Sequence, residues 1–85
     1  MTYTVLVSPR AKRELNALPA QLYQRITSKL QDLANDPRPP GCVKLEGREG
    51  WRIRVGDYRV LYSIDDGIRI VSVEQIGHRR DIYRR

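Results

Sequence analysis

The chain has 85 residues with a single cysteine, Cys42, and it carries 16 Lys and Arg residues against 10 Asp and Glu residues. A domain of this size buries only about 60% of the surface of its unfolded chain, so we expect one domain, residues 1–85, whose modest core no internal disulfide supports. One His and one Cys cannot supply the four ligands of a usual structural zinc site, so neither a metal nor another cofactor is predicted. No apolar run approaches the roughly 20 residues that cross a bilayer, and the N-terminus lacks a secretory pattern. We therefore expect a soluble, cytoplasmic protein that does not contact membranes.

Arginine supplies 13 of the 16 cations, and the net charge is +6. A guanidinium forms bidentate contacts with phosphate, whereas the ammonium of Lys acts as a point charge. The composition therefore favours a polyanionic partner such as nucleic acid or the ribosome. A sequence pI near 10 also occurs in small proteins with other functions, so composition alone leaves the partner open.

The N-terminal residues predict a strand followed by a helix. Residues 2–7 alternate in character and are rich in β-branched and aromatic side chains, which is typical of a strand. Ser8 is a favoured N-cap residue and Pro9 is favoured at the first helical position. Pro19 ends this helix, whose apolar face consists of Ala11, Leu15 and Leu18.

A second helix is predicted from about residue 20 to residue 35. Its apolar stripe, with spacings of 4, 4 and 3, consists of Leu22, Ile26, Leu30 and Leu33. Arg25 and Lys29 lie on its polar face, which is either a solvated surface or a binding face. The two helices are expected to form a hairpin that covers a sheet.

The second half of the chain predicts strands. Residues 36–41 contain three prolines and form a connector that is neither helix nor central strand. Beyond it the pattern has a period of two, and the strand candidates are residues 42–45, 51–55, 58–64 and 68–75; turns at hairpin distance separate the last three. The order β-α-α-β-β-β predicts an α+β domain with a small, mostly antiparallel sheet and the helical hairpin on one face. Residues 77–85 are predicted to be a basic tail without periodicity.

Three arginines are expected to share one face of this sheet. In the strand of residues 51–55, the side chains alternate, so Arg52 and Arg54 point to one face of the sheet and Ile53 points to the other. Arg59 occupies the equivalent side of the next strand, beside the first pair across the hairpin. Like charges on adjacent strands repel, which favours an anionic ligand; the alternative is a solvated face whose charges hinder aggregation.

The tail contains four Arg residues and Tyr83. It is either a disordered basic end or a segment whose aromatic ring stacks on a base while guanidiniums hold the RNA backbone. His78 is the only side chain whose unperturbed pKa is near neutrality, so it is either an acid or base or a surface histidine without chemistry. Because the sequence has no nucleophile elbow, phosphate-binding Gly loop or paired carboxylates, an enzyme made from it would act largely through arginines that stabilise charge at phosphorus.

Four segments resemble the RelE toxins: Lys44-Leu45-Glu46-Gly47, Trp51-Arg52-Ile53-Arg54, the run from Gly56 to Tyr62, and the run from Gly77 to Tyr83. The resemblance spans nearly the whole chain. It implies a toxin of a toxin-antitoxin pair that enters the ribosomal A site and cuts mRNA, with the ribose 2′-OH attacking the adjacent phosphate. The implied partners are an acidic antitoxin, the ribosome and mRNA. ParE-like toxins, which poison DNA gyrase without being nucleases, share the fold and much of the Tyr58 to Tyr62 strand, and they remain the alternative.

The resemblance also implies the site. The residues that match the family's catalytic positions are Arg52, Arg54, Arg59, Arg79 and Tyr83. The guanidiniums would neutralise the phosphate and the leaving oxygen, while Tyr83 would stack on a base or take the 2′-OH proton, the latter requiring a pKa lowered from about 10. Predicted RNA contacts are Lys44, Arg48, Arg80, Arg84 and Arg85.

The sequence departs from the RelE pattern in two places. Well-known RelE proteins have lysines at the positions of Arg52 and Arg54, and an arginine does not give up a proton near neutral pH. The spacing from Arg79 to Tyr83 is also shorter than in that pattern. His78 therefore stays in reserve as the acid or base.

Overall fold

A computed structural model describes residues 2–82 of the chain. In chain order the elements are β1 (Thr4–Val7), α1 (Pro9–Asn16), α2 (Ala20–Leu33), β2 (Val43–Lys44), β3 (Trp51–Val55), β4 (Tyr58–Asp65) and β5 (Ile70–His78). The strands form one sheet in the order β1-β5-β4-β3-β2, in which only the β1 and β5 pair is parallel. The predicted α+β class with a mostly antiparallel sheet is thus confirmed. Neither helix in residues 2–82 is long and apolar enough to span a membrane.

The helices begin and end where local chemistry requires. Ser8 caps α1, since its Oγ accepts a hydrogen bond from the Ala11 amide at 3.0 Å, and Pro9 has no amide that needs a partner. The end of α2 lies two residues before the predicted one. The amides of Asn35 and Asp36 both donate to the Asp32 carbonyl in a closing turn, and the residue before Pro37 is disfavoured in a helix.

Both helices pack their apolar stripes on one face of the sheet, which we call the covered face. Its core residues are Ala11, Leu15, Ile26, Leu30 and Leu33 from the helices and Ile53, Val55, Val60, Tyr62, Val71, Val73 and Ile76 from the strands. Strand alternation turns the intervening side chains of β3 and β4 to the opposite side, the open face. Val60 and Tyr62 are fully buried, whereas their neighbour Arg59 is partly exposed on the open face.

Two strands change the predicted order of elements and the predicted tail. The segment of residues 42–45 contains the short β2, which pairs with Trp51 and Arg52 and gives the sheet a fifth strand that the predicted order lacks. Strand β5 begins at Ile70 and continues to His78, so the prediction that Gly77 and His78 belong to the tail is wrong. Gly77 pairs with Arg59 and leaves room on the open face, where a Cβ would lie 3.4 Å from Ile82 Cδ1.

The proline connector is tied to the sheet at several points. The buried Tyr62 hydroxyl donates to the Pro37 carbonyl at 2.7 Å, and burial raises the pKa of this hydroxyl above its usual value. Arg38 forms an ion pair with Asp66 at 2.9 Å, and its guanidinium lies 5.3 Å from the centroid of the Trp51 ring. These contacts lead the chain from α2 to the sheet edge where β2 begins.

Candidate functional site

The open face carries a hollow of about 610 Å³ near β2, which we call the basic hollow. Its lining residues are Val43, Lys44, Leu45, Glu46, Arg48, Arg52, Arg59, Leu61 and Ile82. Four of these are cations and one is an acid. An excess of positive charge in a concave surface attracts an anion.

The pairing of β3 with β4 determines which predicted arginines enter this hollow. Arg52 is opposite Leu61 and Arg54 is opposite Arg59, so all three arginines start from the open face. Arg52 and Arg59 line the basic hollow. Arg54 does not line it, and this residue borders two hollows beside α2 instead. Two of the three predicted arginines, Arg52 and Arg59, therefore lie together in the wall of the basic hollow.

Arg59 is incompletely satisfied within the described part of the chain. Its Nη1 donates to the Tyr58 carbonyl at 3.3 Å, but its Nε is buried and has no hydrogen-bond partner among residues 2–82. A buried donor without an acceptor is unfavourable by about 1–3 kcal/mol, and more when the group is charged. No carboxylate in those residues forms an ion pair with Arg59. An anion in the basic hollow would offset the charge of the Arg59 guanidinium.

Two buried apolar residues, Leu61 and Ile82, lie among the cations of the hollow. A turn after β5 brings Ile82 there, since the amides of Asp81 and Ile82 both donate to the His78 carbonyl, at 2.8 and 3.0 Å. Gln75, buried on the same face, holds the turn by donating to the Ile82 carbonyl at 3.3 Å. Apolar surroundings lower the local dielectric constant and strengthen the attraction between the arginines and an anion.

Of the remaining predicted residues, the RNA contacts Lys44 and Arg48 line the basic hollow, whereas the predicted catalytic residue Arg79 and the RNA contact Arg80 lie outside it. Lys44 is exposed on β2, and Arg48 pairs with Glu74 at 3.5 Å. Arg79 and Arg80 are exposed on the turn after β5, and neither lines the basic hollow. The Arg79 amide donates to the Asp57 carbonyl at 2.8 Å, which fastens this turn to the turn between β3 and β4.

His78 lies on the covered face, away from the basic hollow. It is opposite Tyr58, and the two rings meet edge to face with centroids 5.5 Å apart. Its Nδ1 accepts a hydrogen bond from the Arg80 amide at 3.1 Å, so the side chain supports the turn that carries Arg79. The predictions for Tyr83, Arg84 and Arg85 fall outside the described residues.

Two apolar residues of this site, and the buried glutamine that holds one of them, were not predicted from the sequence. Leu61, Gln75 and Ile82 were not among the predicted site residues, although Ile82 is the single aliphatic residue in a basic segment. That isolation was the available signal for a buried anchor. In residues 2–82 no group of three or more His, Cys, Asp or Glu side chains is placed to hold a metal ion.

Comparison with known proteins gives consistent relatives. A family model described as the ParE toxin of a type II toxin-antitoxin system matches residues 5–83. Toxin RelG of Mycobacterium tuberculosis is 36% identical, and the alignment covers 100% of both chains. Toxin RelE of the same organism is 34% identical over 96% of this chain and 87% of its own.

The fold has a close counterpart among solved structures. In the RelE-RelB complex of the archaeon Pyrococcus horikoshii, the matching chain superposes with a TM-score of 0.85 and 30% identity. The superposition covers 95% of this chain and 99% of that one. The family model has the ParE name, but these relatives in sequence and in structure are Rel toxins. The chain therefore belongs to the RelE toxin family and is a toxin of a type II toxin-antitoxin system.

Proposed function

We propose that this toxin is an endoribonuclease that cleaves mRNA in the ribosomal A site. The observation that carries the proposal is the basic hollow, where the buried Nε of Arg59 lacks a partner among residues 2–82. A scissile phosphate in the hollow would be attracted by the guanidiniums of Arg52 and Arg59, neither of which pairs with a carboxylate among residues 2–82. The arginines that line the hollow would offset the charge on phosphorus.

In the proposed reaction the ribose 2′-OH attacks the adjacent phosphorus and the bond from phosphorus to the 5′-oxygen breaks. The products are a 2′,3′-cyclic phosphate and a 5′-OH end. Arg52 and Arg59 stabilise the extra negative charge of the transition state, and Arg79 and Arg54 approach the RNA from the end and the edge of the sheet. Tyr83 either takes the 2′-OH proton or stacks on a base, and in the second case the 2′-OH proton passes to solvent. The proton that the leaving oxygen needs comes from solvent.

The remaining predicted contacts would hold the RNA backbone outside the reacting phosphate. They are Lys44, Arg48, Arg80, Arg84 and Arg85. Such contacts add affinity without reading the base sequence. The ribosome would supply the rest of the geometry by presenting the A-site codon in one conformation, which lowers the entropic barrier of the attack.

An acidic antitoxin is the proposed protein partner. The P. horikoshii relative was solved together with RelB. In this chain an apolar groove of about 380 Å³ between β1 and α2 is bordered by Val5, Leu30 and the exposed Tyr23. An amphipathic antitoxin helix would bury its apolar side there, while its carboxylates would offset the net charge of +6.

Two assays distinguish an mRNA nuclease from an inhibitor of DNA gyrase. Purified toxin should cut mRNA on programmed ribosomes and leave gyrase supercoiling unchanged. Inhibition of supercoiling without mRNA cleavage would contradict the nuclease proposal and favour the ParE-like function. For the antitoxin, the small protein encoded by the neighbouring reading frame should co-purify with the toxin and suppress its toxicity; absence of such a protein would remove that part of the proposal.

A further inference from the structure

A second hollow, of about 760 Å³, lies between α2 and the turn that joins β3 to β4. Within residues 2–82, strand β2 pairs with Trp51 and Arg52 only, so the rest of β3 forms a free edge beside this hollow in that part of the chain. Its charged lining residues are Arg25, Lys29 and Arg54, all cationic and all exposed. We call it the edge hollow. None of the chemistry proposed above uses Arg25 or Lys29.

The cations of the edge hollow are not neutralised by carboxylates in the described residues. Arg25 and Lys29 stand one turn apart on α2, and like charges at this spacing destabilise a helix. No acid in residues 2–82 forms an ion pair with Arg25, Lys29 or Arg54. Asp32, one turn further along α2, borders the adjoining hollow with Lys29 and Arg54 but pairs with neither. The three cations of the edge hollow are therefore free of ion pairs within residues 2–82 and available to an anion.

The backbone of the β3 to β4 turn brings Arg25 close to the sheet. Gly56 has a φ of 60°, and a Cβ at this position would lie 3.5 Å from Nη1 of Arg25. The guanidinium therefore lies against the turn instead of extending away from α2. Arg54 stands between the basic hollow and the edge hollow, because it is opposite Arg59 in the sheet yet borders the edge hollow. A band of positive charge thus passes around the free edge of β3.

We propose that the edge hollow binds a phosphodiester of structured RNA, separately from the RNA segment in the basic hollow. This proposal rests on the proposed function, in which the toxin acts on the ribosome. Charges without partners suit phosphate contacts, which orient a protein on nucleic acid without reading its sequence. A protein partner is less suited, since none of the exposed large apolar residues of the described chain borders this hollow.

The test is a matched pair of double variants. Arg25→Gln with Lys29→Gln removes two charges from the edge hollow, and Lys12→Gln with Arg13→Gln removes two exposed charges from α1, which border none of the hollows described above. The binding target is a ribosome programmed with mRNA that carries 2′-deoxyriboses in the A-site codon. Without the 2′-OH nucleophile this mRNA is not cut, so affinity is measured without turnover.

The slope of log affinity against log salt is negative, and we expect the edge-hollow variant to make it shallower by about 1.5, because each of the two lost phosphate contacts contributes roughly 0.7 to 0.9. The ratio of wild-type to variant affinity should then fall about 8-fold as KCl rises from 50 to 200 mM. The control variant should change the slope by less than about a third of that. Cleavage of ordinary mRNA at saturating ribosome concentration should stay within about twofold of the wild type, since uniform binding affects KM and not kcat.

Equal slopes for the two variants would overturn the edge-hollow proposal, even if the wild type cuts mRNA. Weaker binding of the edge-hollow variant to the purified antitoxin, with unchanged ribosome binding, would assign the surface to the antitoxin and also overturn it. If the wild type does not cut programmed mRNA, the proposed function fails, but the slopes still decide the RNA contact. If the wild type shows no salt-dependent ribosome binding, both proposals fail.

Discussion

The covered and open faces of the sheet are made by the same strands, yet they solve different physical problems. On the covered face Val60 and Tyr62 are fully buried among aliphatic side chains, and their contribution is stability. On the open face the neighbouring positions hold Arg59 and Leu61, so a cation adjoins a buried apolar residue. Such a combination adds little to folding and strengthens the electrostatic potential where an anion would bind. Substitutions on the two faces should therefore affect different measurements.

The largest effect on stability is expected from truncation on the covered face. Ile26 is fully buried under α2, and Ile26→Ala should lower the free energy of unfolding by about 2–5 kcal/mol, because a cavity remains. The matched control is Leu6→Ala on the open side of β1, where half of the side chain is exposed. Urea unfolding would measure both, with a loss of less than about 1 kcal/mol expected for the control. Equal losses would show that the open face also carries the core.

On the open face the large effect should appear in catalysis. Arg59→Ala or Arg79→Ala should lower mRNA cleavage on ribosomes at least about 100-fold, since loss of one preorganised charge at a transition state typically costs about 2.7–4 kcal/mol. The melting curve should stay near that of the wild type, and Arg13→Ala on exposed α1 serves as the control. If both variants cleave at the wild-type rate, these arginines belong to a solvated surface and take no part in catalysis.

The two faces also differ in how far the sequence could predict them. Alternation in β3 and β4 correctly predicted that Ile53, Val60 and Tyr62 enter the core, because arginines occupy the other side of both strands. It did not predict that Leu61, on the open face of β4, is also buried. Ser8 and Pro9 marked the start of α1 by local chemistry, which needs no tertiary information. These features depend on neighbouring residues, so a single sequence contains them.

The end of the sheet depended on contacts distant in the chain. In the pairing of β4 with β5, Leu61 lies opposite Gln75 and Tyr62 lies opposite Val73. Glu74 is therefore an extra residue in β5, and it interrupts the alternation of side chains between the two faces. Pairing of Gly77 with Arg59 and packing of Ile82 over it then extend the strand into the predicted tail. For the same reason the sequence could place Arg54 on a face but not tell which hollow it borders.

Tyr62 offers a test of the covered face that depends on pH. Tyr62→Phe removes the hydroxyl and leaves the buried Pro37 carbonyl without its donor, which should lower the free energy of unfolding by about 1–3 kcal/mol at pH 7. Burial raises the pKa of the Tyr62 hydroxyl in the folded state. Above about pH 10 the unfolded chain releases this proton while the folded chain keeps it, so stability from Tyr62 falls as pH rises. Urea unfolding at pH 7 and pH 11 should show the wild type and the variant converging; a constant difference would refute the assignment.

Tyr83 extends the comparison to a residue outside the described part of the chain. If its ring stacks on a base, Tyr83→Ala should lose about 1–3 kcal/mol of stacking free energy and cleave correspondingly more slowly, whereas Tyr83→Phe should keep most of the activity. If its hydroxyl is the general base, Phe should be nearly as damaging as Ala, with losses of about 10²- to 10⁴-fold. Single-turnover cleavage on programmed ribosomes distinguishes the two roles. Wild-type rates for both variants would exclude both stacking and proton transfer by Tyr83.

The smallest effect is expected at His78, because its ring lies on the covered face against Tyr58 while the reacting phosphate is proposed to lie on the open face. A direct role as general base would cost about 10²- to 10⁴-fold on removal, whereas loss of a turn-supporting hydrogen bond costs about 0.5–1.5 kcal/mol. His78→Ala should therefore slow cleavage only about 2- to 10-fold, by loosening the turn that carries Arg79. His78→Asn offers a side-chain oxygen to the Arg80 amide and should recover part of this loss, which a proton-transfer role would not allow since Asn does not titrate. A loss beyond 100-fold in both variants, measured in single turnover, would instead place the proton transfer at His78 and would mean that the ring reaches the substrate from the covered face.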